Sequence, residues 1–222
     1  MQSNYLSMFS NYFKIAQRHL WRSKVFSLIN VVGLAIGLTG FFLIMHYVSF
    51  ETNYDRFHTN SDALYRVGLH RYKNEVLQTS SSQNFAGLRN LLQENFPEVN
   101  AATGFYKTPA NTGVFFRHKG QIYNELGGEL NADSSFFLVF SSLLLKGDAT
   151  TALHDPHSMV LSESMARKIF GDEEPLGQSI EMPNDGDRQT DYLITGIIKD
   201  LPVNSHFHAN FIVPLVYDWS KQ

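Results

Sequence analysis

Cysteine is absent from the 222 residues, and no acidic residue precedes Glu51. The first absence excludes disulfides, thiolate nucleophiles and cysteine-bound metal, so any exported domain must be held by its core alone. The second leaves Lys14, Arg18, Arg22 and Lys24 as the charged side chains of the first fifty residues. Charge of either sign is then missing from residues 25–50, a run of 26. At about 1.5 Å per residue a helix over that run spans about 39 Å, against a hydrocarbon core of roughly 30 Å. A transmembrane helix over 25–50 is therefore predicted, tilted or with one end beyond the lipid. The core helix of a soluble protein seldom runs so far without a polar face. A signal peptide has a shorter apolar region and a small-residue cleavage site, and no such site follows Phe50.

The basic residues before the span place the N-terminus in the cytoplasm and everything from about Glu51 outside, because Lys and Arg near a span stay on the cytoplasmic side. Without the four N-terminal positives, 14 basic residues face 21 acidic ones. That balance argues against nucleic acid as a partner. Overall, 43% of residues are apolar and 18% charged, as in a packed domain. The expected organisation is an amphipathic cytoplasmic helix over 1–24, a transmembrane helix over 25–50 and an extracytoplasmic domain over 51–222.

Leu6, Phe9, Phe13, Ala16 and Leu20 recur at helical spacing before the span, with Tyr12 and Trp21 suited to headgroup depth, so this helix should lie along the lipid surface. Met8 is a plausible translation start. Within the span, Ser27, Asn30, Gly33, Gly37 and Gly40 share one face at helical spacing, and such a small-residue face lets another membrane helix approach closely. His46 is expected at the outer interface.

After the span, the patterns predict strands over 64–69, 114–117, 121–125, 158–161, 192–199 and 208–213. Helices are predicted over 85–96, ended by Pro97, over 136–145, and over 162–170, ended by Gly171. A turn at 202–204 should join the last two strands. Uneven alternation of strands and helices points to a mixed α+β fold.

Chemistry has no constellation. The stretch 171–179 superficially resembles a phosphate-binding loop, but it is one residue too long, has Gln178 where lysine belongs, and carries Asp172, Glu173 and Glu174. His206 and His208 share a face of an extended segment, and His154, Asp155 and His157 form a loose group, yet neither has metal-site spacing. There is no GxSxG or HExxH. No catalytic, cofactor-binding or metal-binding residue is assigned, and no enzyme activity is expected.

Several blocks in order carry a resemblance: 11–16 with its basic run; 51–58 and 64–67; 95–99; 136–140 with 145–148; 160–171 with 175–177; and 195–207. Together they resemble ABC-transporter permeases of the MacB and FtsX type, namely the first membrane helix and the MacB-like periplasmic core domain. The resemblance implies a permease that dimerises, works with a cytoplasmic ABC ATPase, and moves its external domain in efflux or export, with a periplasmic adaptor as a further partner. Such permeases have at least three more membrane helices after the external domain. No second apolar run occurs before Gln222, so the resemblance is to the N-terminal part, and the remaining helices or a second permease copy are implied partners. The other reading is a single-pass anchored sensor or interaction module.

Overall fold

The computed structural model describes residues 12, 14–18, 20–85, 87–184 and 188–215. The chain divides into two compact units, Met1–Asn53 and Tyr54–Gln222.

In the first unit, α1 (Lys24–Thr52) is one unbroken helix of 29 residues with none buried. It is long and apolar enough to cross a membrane, and none of its residues is buried, unlike those of a core helix. Asn53 ends it, with its amide on the Ser49 carbonyl (3.2 Å) and its side-chain amide donating to the same oxygen at 2.7 Å. Before α1, residues 14–18 and 20–22 are helical and exposed. Lys24 Nζ lies 5.8 Å from the centre of the Trp21 ring. Of the expected apolar stripe, Leu6, Phe9 and Phe13, together with Met8, lie outside the described residues.

The first strands of the second unit are a hairpin of β1 (Leu69–Lys73) and β2 (Val76–Ser81), which form a two-stranded sheet of their own. Its two-residue turn, Asn74 and Glu75, has φ of 49° and 63°, the left-handed pair that matches strand twist. Helix α2 (Leu88–Asn95) follows. The strand expected over 64–69 is displaced: pairing begins only at Leu69, opposite Ser81. Upstream of it Tyr65 is 88% exposed, and the Val67 carbonyl is taken by the Asn84 side chain at 2.8 Å. With no second strand to receive it, a β-prone run stays single.

The remaining strands are β3 (Phe105–Lys107), β4 (Gly113–His118), β5 (Gln121–Leu126), β6 (Glu129–Ala132), β7 (Leu144–Gly147), β8 (Ser158–Ser162), β9 (Ser179–Asn184), β10 (Arg188–Ile198) and β11 (Phe211–Pro214). Among the described residues they form one sheet in the order β3-β6-β11-β8-β10-β9-β4-β5, with β7 also on β10. Strand β10 is the hub. Its first half pairs with β9, its second half with β7 on the same edge, and its other edge runs parallel to β8. The expected strands over 192–199 and 208–213 both exist, but they are not neighbours, because β8 lies between them.

Both faces of the central strands are buried, so apolar side chains alternate between two cores. Met159 and Leu161 of β8 and Phe211 and Val213 of β11 point into one, while Val160 and Ile212 point into the other. The first core is covered by α4 (Glu163–Phe170), whose Met165, Ala166, Ile169 and Phe170 are buried. Ser162 caps this helix by accepting from the Met165 amide at 3.2 Å, and Gly171 ends it at φ 61°. Ser162→Ala is expected to cost about 1 kcal/mol, read as a lower midpoint in denaturant titration of the full chain.

The second core is aromatic. It contains α3 (Phe136–Val139), much shorter than the helix expected over 136–145, because residues 141–143 form a 3-10 turn and Leu144 then pairs with Ile198 as part of β7. A hydrophobic run here serves a helix and a strand in succession, which its apolar pattern alone does not distinguish.

A candidate coupling joint at the start of the sheet domain

The first residues after α1 form a strap, 54–58, that folds onto the segment 204–207 of the same unit. Asp55 adopts φ 56°, a left-handed conformation that few residues other than glycine, asparagine and aspartate take up. Its amide donates to the Asn204 carbonyl at 3.0 Å. Its carboxylate accepts from the His206 amide at 3.0 Å, and the His206 Nδ1 pairs with its other oxygen. The Tyr54 ring meets the His206 imidazole edge-on, with centres 4.6 Å apart. Three polar contacts and one ring contact therefore clasp two segments 151 positions apart in the chain.

Segment 204–207 can do this because its side chains alternate: Ser205, Phe207 and Ala209 are buried, while His206 and His208 are exposed. His206 is thus engaged with Asp55 through both its amide and its ring. Among the described residues no group of three or more potential ligands forms a metal site. His157 lies 3.9 Å from Asp155 on the surface.

Below the clasp, His58 is 4% exposed, and neither ring nitrogen has a hydrogen-bond partner among the described residues. Its walls are aromatic. Ring centres lie 4.1 Å away at Phe57, 5.0 Å at Phe140 and 6.2 Å at Phe207. Loss of solvent in this box pushes the His58 imidazole below its ordinary value, and the negative charge of Asp55 opposes the shift without cancelling it. The box continues into the second core, where Phe136 touches Phe105, Phe137, Phe140 and Phe207.

The face predicted within the span lies along α1. Gly33, Gly37 and Gly40 have nothing within 4 Å of where a Cβ would stand, Asn30 is exposed, and the Ser27 hydroxyl donates to the Leu20 carbonyl at 3.3 Å. Strap and clasp were not singled out by sequence reasoning. Both fall in blocks of the family resemblance, 51–58 and 195–207, and the Ser-His-Phe-His alternation is the local sign of a half-buried segment.

The loop resembling a phosphate site is tied down by its own side chains and backbone. Glu173 and Glu174 pair with Lys119 (2.5 Å) and Lys146 (2.6 Å), and the Gly177 amide donates to the Ile194 carbonyl at 2.9 Å.

The family model described as MacB-like periplasmic core domain matches residues 27–221. Among curated proteins none matches the chain. Among solved structures, a domain of a protein described as a permease from Porphyromonas gingivalis is 29% identical, with a TM-score of 0.50 over 61% of this chain and 59% of that one. The periplasmic region of MacB from Actinobacillus actinomycetemcomitans is 16% identical, with a TM-score of 0.40 over 56% of this chain and 51% of that one. The extracellular domain of the ABC-type transporter YknZ from Gram-positive bacteria is 18% identical, with a TM-score of 0.34 over 49% and 52%. The chain thus spans less than two thirds of the length of each.

Proposed function

The chain belongs to the MacB-like periplasmic core domain family, and from that membership we propose that it is the N-terminal part of an ABC-transporter permease of the MacB and FtsX type. The observation that carries this reading is the extent of the match, which begins inside α1 and runs through the sheet domain, so helix and domain are matched as one unit. In this reading α1 crosses the inner membrane with its basic end in the cytoplasm, and the sheet domain is periplasmic. A partner ABC ATPase does the hydrolysis, and the chain has no catalytic role. The face of Ser27, Asn30, Gly33, Gly37 and Gly40 receives a further permease helix or a second copy. Movement of α1 reaches the sheet through covalent continuity: Tyr54 and Asp55 follow the helix end and are clasped to segment 204–207, which leads directly into β11, in the interior of the sheet.

Two measurements on the full chain in its native membrane test this. A tagged copy is expected to copurify an ABC ATPase, and Leu126→Cys, at a position 76% exposed, is expected to react with a membrane-impermeant maleimide in cells with a permeabilised outer membrane. An eluate without an ATPase favours an anchored sensor or interaction module. Labelling seen only after the inner membrane is broken overturns the orientation.

A further inference from the structure

The clasp has a titratable group built into its floor. Asp55 and His206 form the outer, partly exposed pair, at 32% and 63% side-chain exposure. His58 is the inner group, closed off by Phe57 from its own segment, by Phe140 just after α3, and by Phe207 from the opposing segment. The charge that acts on it is that of Asp55, whose carboxylate is committed to His206; α3 (Phe136–Val139) carries no charged residue, and the neighbouring Arg56 is exposed to solvent. A neutral imidazole fits such a box. An imidazolium carries two N–H donors that both need acceptors, and among the described residues neither nitrogen has one. Attraction of the cation to the phenyl faces offsets only part of that loss.

We propose that His58 is a proton-operated catch: protonation expels its ring from the Phe57–Phe140–Phe207 box and undocks strap 54–58 from segment 204–207, loosening the link between α1 and β11. The sign follows from linkage. The undocked imidazole takes its proton near the ordinary value of about 6.5, and the docked one only at lower pH, so docking is complete above about 6.5 and weakens as pH falls below it. The outer pair, Asp55 and His206, is a separate contact, made through the His206 amide and Nδ1 and not through the box. Because His58 is buried and His206 is exposed, the two histidines are separable by mutation. The inference deepens the permease reading by making the joint responsive to acid on the side of the sheet domain.

The test is hydrogen exchange of the full chain in lipid nanodiscs from about pH 8 to about pH 5, corrected for intrinsic exchange rates, a window chosen to bracket imidazole titration. Protection of the amides of Asp55, His58 and His206, each hydrogen-bonded across the joint or within the strap, is expected to fall by up to about tenfold per pH unit below about 6.5, the limit for one linked proton. Amides of β8 should keep theirs. His58→Phe is expected to abolish the pH dependence, and His206→Asn to retain it. Wild-type protection that does not change with pH, pH dependence that survives in His58→Phe, or equal loss throughout β8 would each overturn the proposal. If His58→Phe does not fold, an imidazole NMR titration of the wild type decides: a His58 midpoint at or above about 6.5 overturns it, and one below supports it. None of these readouts needs an ATPase, so an ATPase-free eluate counts against the permease reading alone.

Discussion

Phe136→Ala is expected to lower the stability of the sheet domain by about 3–5 kcal/mol, the usual cost of emptying a buried phenylalanine site. Phe136 is fully buried and contacts four other rings, with centres 4.9 Å away at Phe140, 5.2 Å at Phe137 and 5.8 Å at both Phe105 and Phe207. These rings come from β3, α3 and the segment before β11, so the cavity cannot close by moving one element. Thermal unfolding followed by near-ultraviolet circular dichroism should show a drop in Tm of about 10 °C, given roughly 2–4 °C per kcal/mol for a domain of this size. A second consequence is local. Phe140 and Phe207 also wall the His58 box, so the strap amides should lose protection even at neutral pH. A loss below about 1 kcal/mol would mean that the aromatic cluster repacks freely, contrary to the close packing described.

Gly147→Ala should be as damaging for a different reason. Gly147 sits at φ 103° at the end of β7, opposite Gly196 of β10. A Cβ there would fall well inside contact distance of the Thr195 carbonyl oxygen and 3.0 Å from the Gly196 Cα, both backbone atoms that no side-chain rotation can move. The cost is expected at about 3 kcal/mol or more, combining left-handed strain with displacement of β7 from β10. Gly120 supplies the control. It also has positive φ (80°), in the Lys119–Gly120 turn between β4 and β5, but nothing lies within 4 Å of its Cβ position. Gly120→Ala should therefore cost only about 1–2 kcal/mol. Equal midpoints for the two variants in denaturant titration would show that the β7–β10 approach is not under steric control.

Much of the local structure was legible because short-range chemistry determines it. Ser162 before an apolar-periodic run and Gly171 after it mark α4 to within a residue. Lys119 and Gly120 between two β-prone runs mark the β4–β5 hairpin. The failures have a common cause. Residues 64–68 have strand-like composition but no neighbour to pair with, and 136–145 has an apolar pattern compatible with either helix or strand until Leu144 finds Ile198. Strands β10 and β11 look like successive neighbours, yet β8, lying more than thirty positions earlier in the chain, pairs with both.

The candidate joint follows the same division. Asp55 and His206 can each be seen as polar residues in recognisable blocks, but no local pattern couples positions 151 apart. Nor does sequence show that His58 is buried while His206 is exposed, since both are histidines beside a phenylalanine. What the linear sequence determined alone is the charge-free helix, its basic flank, the α+β content and the family, because these depend on composition, on spacing and on the order of blocks. The tertiary structure alone decided strand order, the two-sided core and the clasp of 54–58 on 204–207. Those depend on which distant segments meet, a choice made by summed burial and hydrogen bonding over the whole domain.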